Sequence, residues 1–165
     1  GGIKNQIDSP YSTKYRPLTE RVMYDAPTGQ SIMQACFQKG TIIEMIDGIK
    51  NIEDIKVNDV VKTFNIETNS VETSSVTETF THKDNTDGLL INSTIKTTTN
   101  HPFYSNGDWV DAGDLNIGDK ILHVDGLEHK INSIEKLTGY QTVYNFEVDG
   151  THNYFAEGYL VHNKM

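Results

Sequence analysis

Two segments of the chain repeat one another, and this repeat constrains the fold more than any other feature of the sequence. The segment from Ile52 to Val61 aligns with the segment from Ala112 to Ile121, and both aspartates of each segment are matched. Aliphatic side chains are kept in the pairs Ile55/Leu115, Val57/Ile117 and Val61/Ile121. A duplication of this kind predicts two similar halves that pack with pseudo-twofold symmetry and form a cleft where they meet.

Short β-branched and apolar runs separated by turn signals predict that both halves are built from strands. Helical periodicity is nearly absent, and two segments, Ile52 to Ile55 and Ala112 to Leu115, are each long enough for only one helical or 3₁₀ turn. The sequence therefore predicts an all-β fold. The turn signals are Asp47-Gly48, Asp87-Gly88, Asn106-Gly107 and Asp125-Gly126. The predicted strands are Ile32 to Phe37, Thr41 to Met45, Val60 to Asn65, Val71 to Thr81, Leu89 to Thr97, Lys120 to Val124, Ile131 to Tyr140 and Val143 to Val148.

Length and charge exclude several classes of protein. The 165 residues suit one domain. The net charge is -9 and the basic residues are scattered, which argues against a nucleic-acid partner. We find no apolar run long enough to cross a bilayer and no leader segment. We therefore expect a soluble monomer with no membrane partner, either cytoplasmic or part of an exported host protein.

The first 35 residues differ from the rest of the chain. Their polar residues follow no sustained period, and Pro27-Thr28-Gly29 interrupts the chain before Ser31. We expect an amino-terminal flanking segment, with the folded module beginning near Ser31.

A hydrophobic run that starts at Tyr154 ends on His162-Asn163. An asparagine side chain can close on its own main-chain carbonyl to form a succinimide, which expels the next amine if a donor protonates that amine. His162 is adjacent and can be this donor. The pair indicates scission between Asn163 and Lys164, whereas the structural alternative is a strand that ends in polar residues.

Two further features carry chemistry far upstream of this pair. Cys36 is the only cysteine, so it is either a small buried apolar residue or a reactive thiol. Thr98 and His101 lie three positions apart at the end of a predicted strand. Each feature alone more often has a structural role. Together with His162-Asn163, the features are compatible with far fewer functions.

These motifs, in this order, resemble those of the Hint domains, which are shared by inteins, bacterial intein-like domains and hedgehog autoprocessing domains. Cys36 to Thr41, with Asp47-Gly48 and the first repeat segment, resembles the amino-terminal splicing block of the family. Thr98 to Phe103 resembles its Thr-x-x-His block. Two later segments, Val143 to Phe146 and His152 to Asn163, resemble the carboxy-terminal blocks of the family.

The resemblance covers Cys36 to Asn163 and implies a domain over residues 36–163, between an amino-terminal flank, 1–35, and a carboxy-terminal flank, 164–165. It also implies a compact, horseshoe-shaped β fold of two pseudo-twofold-related subdomains, with both junctions in a central cleft. No cofactor and no catalytic metal are implied. The substrate would be the chain's own flanking segments.

The family also implies a role for each motif residue. Cys36 would attack the carbonyl of Ala35 in an N-to-S acyl shift, which converts the Ala35-Cys36 bond into a thioester. His101 would protonate the departing amine, and Thr98 would polarise or orient the bond.

At the other junction, His152 would help to activate Asn163, and His162 would support scission before Lys164. Because Cys36, His101 and His162 would converge on one cleft, we also expect that Zn²⁺ could bind there and inhibit the reaction.

The chain departs from the family pattern at three places. Lys164 stands where an intein has a Ser, Thr or Cys nucleophile, which excludes standard transesterification. Asn145 replaces a frequent Asp, which argues against an acid-base role there and leaves open whether Asn145 does more than hold a hydrogen bond. The region between Asn65 and Asn100 is too short for a homing endonuclease. The chain is thus most similar to a bacterial intein-like domain, or to the processing domain that precedes toxins in exported proteins, with cleavage dominant and splicing minor.

Two other functions stay open. An inactive Hint-like β module could serve binding or assembly, and the intact Ala35-Cys36 and Asn163-Lys164 junctions of the chain favour it, although slow chemistry explains them too. Hedgehog-like sterol transfer ranks last, because that branch needs a sterol-recognition segment after the Hint core.

Overall fold

The structure, a computed structural model, describes residues 35–163, which form strands joined by tight turns. Within these residues, helix is limited to the 3₁₀ turns Ile52–Asp54 and Ala112–Asp114, and neither could span a membrane. The strands are β1 (Phe37–Gln38), β2 (Ile42–Met45), β3 (Gly48–Asn51), β4 (Val60–Asn65), β5 (Ser70–Asn85), β6 (Leu89–Ile91), β7 (Ile95–Thr97), β8 (Pro102–Ser105), β9 (Asp108–Asp111), β10 (Lys120–Leu122), β11 (Glu128–Lys130), β12 (Ile134–Lys136), β13 (Gln141–Val148), β14 (Asn153–Ala156) and β15 (Tyr159–His162).

Three strands on each side of the hairpin β14–β15 follow a symmetric order. It runs β11-β10-β8-β15-β14-β2-β4-β5-β13-β1-β7-β6-β12, with β3 paired to β2 and β9 paired to β8. Strand β14 pairs with β2 and strand β15 pairs with β8, both antiparallel. Beyond β2 lie β4 and β5, and beyond β8 lie their equivalents β10 and β11. The duplication predicted from the sequence is therefore confirmed.

The matched aspartates of the repeat fix the same turn in each half. The carboxylate of Asp59 accepts the Lys56 N–H at 2.9 Å, and the carboxylate of Asp119 accepts the Asn116 N–H at 2.8 Å. Equivalent residues are 60 positions apart in the sequence. An aspartate that closes a turn onto backbone N–H groups explains why both positions keep this side chain.

Aromatic side chains dominate the core. Phe37, Phe103, Phe146 and Tyr154 are fully buried, and the rings of Phe146 and Tyr154 stack with their centroids 4.0 Å apart. These aromatic side chains are the largest in the core, and each of them removes more apolar area from water than an aliphatic side chain does. Phe37, Phe103 and Tyr154 also surround His101, which is described in the next section, so the ring of His101 lies in a dry environment.

Asn153, at the start of β14, is buried. Its side chain forms the hydrogen bonds to β4 that the backbone of a neighbouring strand would otherwise form. Its side-chain oxygen accepts the Phe64 N–H at 2.8 Å, and its side-chain nitrogen donates to the Phe64 carbonyl at 2.9 Å. Both backbone groups of Phe64 are thus satisfied by one side chain. Buried backbone groups that lose their partners destabilise the folded state.

We expect Asn153→Ala to lower the free energy of unfolding by about 2–4 kcal/mol, since two buried backbone groups are left unpaired. Urea denaturation followed by circular dichroism measures the change. The exposed Asn132 provides the control, because Asn132→Ala should change the stability by less than about 0.5 kcal/mol. Equal stabilities of the two variants would contradict the role assigned to Asn153.

Two predicted runs are hairpins rather than single elements. The segment Leu89 to Thr97 turns at Asn92 and Ser93, whose φ angles are 52° and 62°. The run from Tyr154 turns at Glu157-Gly158, which joins β14 to β15. A residue whose backbone adopts the left-handed region of φ and ψ ends a strand. The spacing of apolar residues in the sequence does not reveal the position of such a residue.

Other strand predictions were wrong in their bounds. Of the segment Ile131 to Tyr140, only Ile134–Lys136 is a strand, and β11 was missed because its Glu-His-Lys sequence carries no apolar alternation. The strand predicted from Ile32 is limited to Phe37–Gln38 in the described part of the chain. The predicted start near Ser31 lies outside the described residues.

Candidate functional site

The Ala35–Cys36 peptide is buried and is held by Thr98 on both sides of Cys36. The Cys36 N–H donates to the Thr98 hydroxyl oxygen at 3.0 Å, and the Thr98 N–H donates to the Cys36 carbonyl at 2.9 Å. Strand β1 pairs with β7 at Phe37 and Thr97, and this register places Cys36 opposite Thr98. The structure thus brings Cys36 and Thr98 together at this junction.

Asn100 fixes the orientation of the Thr98 hydroxyl. The hydroxyl donates its single hydrogen to the Asn100 side-chain oxygen at 2.7 Å. Its lone pairs are then left to accept the Cys36 N–H. Sequence analysis gave Asn100 no role, because nothing in a Thr-x-x-His spacing identifies the partner of the threonine.

Asn145, on β13, contacts the other side of the same peptide bond. Its side-chain nitrogen donates to the Ala35 carbonyl oxygen, at 2.5 Å. Its side-chain oxygen accepts the Tyr154 hydroxyl at 2.7 Å and the Phe146 N–H at 2.8 Å. These two donors fix which end of the amide faces Ala35. When a thiol attacks a carbonyl group, negative charge develops on the carbonyl oxygen. Asn145 already donates a hydrogen bond to that oxygen of Ala35, so it is placed to stabilise this charge.

His101 is buried among aromatic rings beside this junction. Its ring centroid lies 4.1 Å from that of Phe37, the residue that follows Cys36. The rings of Phe103 and Tyr154 lie at 6.2 Å and 6.4 Å. Apolar walls of this kind exclude water and strengthen the electrostatic interactions of a charged or polar group.

Burial raises the pKa of the Cys36 thiol from 9.0 to about 12. The thiol is therefore protonated at neutral pH, although the thiolate is the nucleophilic form. Burial, together with the neighbouring Cys36, also raises the pKa of Tyr154 well above its ordinary value. Tyr154 thus keeps its hydroxyl hydrogen and stays a donor to Asn145.

Asn163 is buried at the end of β15 and is held by two contacts. Its N–H donates to the His152 carbonyl at 2.9 Å. Its side-chain nitrogen donates to a carboxylate oxygen of Glu147, which also lies 3.4 Å from Nδ1 of His152. The ring of His152 is mostly exposed. Glu147 therefore contacts two of the three residues that the sequence assigns to this junction.

The side chain of His162 lies away from these contacts. Its ring packs edge-on against Trp109 with the centroids 5.1 Å apart. Successive side chains of a strand point to opposite sides, so His162 and Asn163 face different neighbours.

One strand connects the two junctions. Asn145 and Glu147 are two positions apart on β13, so their side chains lie on the same face, about 6–7 Å apart. Asn145 contacts the carbonyl before Cys36, and Glu147 contacts the side chain of Asn163. Sequence analysis missed Glu147 altogether and gave Asn145 no catalytic role. The only available signal was that the family often has an acidic residue at position 145.

The zinc site expected from Cys36, His101 and His162 is not preformed. Within residues 35–163, these three side chains do not form a group whose ligand atoms all lie within 4.8 Å of one another. The physical reason is the packing of His162 against Trp109. The ligand atoms of a different group, His123, Asp125 and His129, do lie within this distance of one another.

Comparisons with known proteins agree with this geometry. Residues 42–164 match the family of the pretoxin HINT domain. The bacterial intein-like domain from Clostridium thermocellum is 37% identical over 79% of this chain and 99% of its own, with a TM-score of 0.73. The DnaB intein from Synechocystis sp. PCC 6803 is 22% identical over 79% of this chain and 99% of its own, with a TM-score of 0.68, and shows likeness of fold alone. No curated protein matches the chain.

Proposed function

Because the chain belongs to the pretoxin HINT domain family, which it matches over residues 42–164, we propose that it breaks its own peptide bonds at Ala35-Cys36 and at Asn163-Lys164. Intein-like domains act on their own flanking segments. The expected Hint superfamily and its all-β fold are confirmed. The observation that carries the proposal is the strand β13, which presents Asn145 to the first junction and Glu147 to the second.

At the first junction, the Cys36 sulfur attacks the Ala35 carbonyl carbon. A carbon–sulfur bond forms and the carbon–nitrogen bond breaks. The nitrogen of Cys36 gains a proton that His101 supplies, and His101 recovers the proton that the Cys36 thiol gives up, so the net transfer is from sulfur to nitrogen. The Asn145 side chain donates to the carbonyl oxygen as it becomes negative. Thr98 holds the N–H of the breaking bond. The product is a thioester that carries residues 1–35.

At the second junction, the side-chain nitrogen of Asn163 attacks its own main-chain carbonyl carbon. The ring closes as the bond to Lys164 breaks, and the nitrogen gives up a proton to the Glu147 carboxylate that it already contacts. His162 supplies the proton that the departing Lys164 amine takes up. His152 holds Glu147 through Nδ1 and positions Asn163 through its carbonyl.

The fate of the thioester follows from the residue at position 164. The Lys164 side-chain amine has an ordinary pKa of about 10.4 and is mostly protonated, so it accepts acyl groups poorly. The α-amine released by scission has an ordinary pKa of about 7.7–8.0 and is the better acceptor. Water or a small thiol competes with it once the released segment diffuses away. Cleavage is therefore the main outcome and ligation is the minor one.

Hydroxylamine tests the thioester directly, because it attacks a thioester and leaves peptide bonds intact under mild conditions. Incubation of the full chain should release residues 1–35 with a hydroxamate on Ala35, identified by mass spectrometry. A chain that is still whole after prolonged incubation would instead support the inactive Hint-like module that serves binding or assembly.

The raised pKa of Cys36 predicts an unusual pH dependence for its reaction with iodoacetamide. A thiol reacts as the thiolate, whose fraction rises about tenfold per pH unit below the pKa. With the pKa at about 12, the labelling rate of the folded chain should keep rising between pH 7 and pH 10. The same thiol in urea should level off near its ordinary pKa of 9.0. A labelling rate of the folded chain at pH 7–8 that equals the rate in urea would contradict the burial of Cys36.

A further inference from the structure

A cluster of metal-binding side chains lies outside the junctions, on the hairpin β10–β11. His123 follows β10, Asp125 lies in the turn and His129 lies in β11. One ligand atom from each residue lies within 4.8 Å of the others. The proposed self-cleavage uses none of the three residues.

The Asp125 carboxylate stands between the two imidazoles. One of its oxygens lies 3.3 Å from Nδ1 of His123, and the other lies 2.7 Å from Nε2 of His129. In a tetrahedral zinc site with bonds of about 2.0–2.1 Å, neighbouring ligand atoms are about 3.3 Å apart. The two distances from Asp125 are therefore close to those between ligands of one ion, and the two histidine nitrogens lie within 4.8 Å of each other.

The packing of His123 leaves its Nδ1 as the nitrogen available to an ion. Nδ1 accepts the Asp125 N–H at 3.2 Å, so it carries a lone pair and no hydrogen, and a bound ion would take the place of that N–H. The other nitrogen faces Gly158, where an added Cβ would lie only 2.2 Å from Nε2. The ring also packs edge-on against Tyr159, with the centroids 5.2 Å apart. These contacts hold His123 in place.

His129 is the ligand that has to move. Its ring stacks on that of His123 with the centroids 4.0 Å apart and an angle of 9° between the planes, so the two rings do not direct lone pairs at one point. A rotation of the His129 ring about its χ2 bond brings its Nε2 toward the ion. About 35% of this side chain is exposed, which leaves room for the rotation.

We propose that His123, Asp125 and His129 form a three-ligand site for a divalent transition-metal ion, with Zn²⁺ as the probe of choice and water in the remaining position. Two imidazoles and one carboxylate are a ligand set that suits Zn²⁺ and Ni²⁺ better than Mg²⁺ or Ca²⁺. The carboxylate also supplies the negative charge that two neutral imidazoles lack. Binding of the ion displaces the hydrogen that His129 shares with Asp125.

Binding of Zn²⁺ to the full chain can be measured by isothermal titration calorimetry in the Cys36→Ala background, which removes the only thiol. We expect one ion per chain. His129→Ala should weaken the affinity by at least the ~10- to 100-fold that the loss of an outer-shell partner costs. Asp125→Asn should also weaken it, while the amide oxygen can still accept the Leu127 N–H as the carboxylate does.

His82, on β5, provides the matched control, and His82→Ala should bind Zn²⁺ as the parent does. The proposal is overturned if the parent shows no one-to-one binding, if His129→Ala and Asp125→Asn both bind with undiminished affinity, or if His82→Ala loses binding to the same extent. Because the readout is metal binding and not cleavage, its failure is separate from a failure of the proposed self-processing.

Discussion

Replacement of Cys36 by alanine should abolish release of residues 1–35 by dithiothreitol and leave scission after Asn163 intact. Cys36 is the only thiol of the chain, and no other side chain can form the thioester with Ala35. The mechanism proposed for the second junction uses Glu147 and Asn163, whose contact does not involve Cys36. The Cys36→Ala variant should therefore lose all cleavage at Ala35-Cys36 and none at Asn163-Lys164.

The reciprocal variant is the control for this result. Asn163→Ala cannot form a succinimide, so it should lose scission before Lys164 and still release residues 1–35 under dithiothreitol. Gel electrophoresis and intact mass follow both fragments. Release of the first 35 residues from Cys36→Ala under thiol would show that the acyl shift proposed at Ala35 is wrong.

Glu147→Gln should slow scission after Asn163 by about 10²–10⁴-fold, the usual contribution of a positioned general base. The glutamine keeps the size of the side chain and removes the carboxylate that accepts the Asn163 proton. Thiol-induced release of residues 1–35 should be unchanged, because Glu147 does not contact Ala35 or Cys36 in the described structure. The rate is read from the appearance of the fragment that ends at Asn163.

Glu78 provides a matched control for this substitution. It lies directly opposite Glu147 on the neighbouring strand β5 and is exposed. Glu78→Gln changes the local charge by the same amount, so it should leave both rates close to those of the parent. If Glu78→Gln and Glu147→Gln slowed scission equally, the effect would arise from local charge and not from the contact with Asn163.

The parts of the fold that the sequence predicts are those that local patterns encode. The repeat around Asp59 and Asp119 predicted the symmetric halves, because each aspartate closes a turn within three residues of itself. The first junction, by contrast, was expected from the resemblance of Cys36 and the Thr98-x-x-His101 motif to the Hint domains, because either motif alone more often has a structural role. The hairpins that turn at Asn92 and Glu157 were missed, because the identity of the side chain does not show that the backbone φ angle is positive there.

The parts of the site that escaped prediction depend on strand pairing between distant segments. Asn145 meets Ala35 across 110 positions of sequence, because β13 pairs with β1. Glu147 meets Asn163 across 16 positions, at the far end of the hairpin β14–β15. Neither contact leaves a periodic signal, so the acidic residue that serves the second junction is visible only once the sheet is assembled.

The most direct test of the account is a time course of intact mass for the parent, Asn145→Ala and Glu147→Gln under dithiothreitol. The parent should yield both fragments. Asn145→Ala should slow only the release of residues 1–35, by about 10²–10³-fold, the usual loss when one donor to a developing oxyanion is removed. Glu147→Gln should slow only scission after Asn163. A thermal melt of each variant controls for loss of the fold. If the two substitutions slowed both junctions alike, or if the parent stayed whole, the assignment of one β13 side chain to each junction would be contradicted.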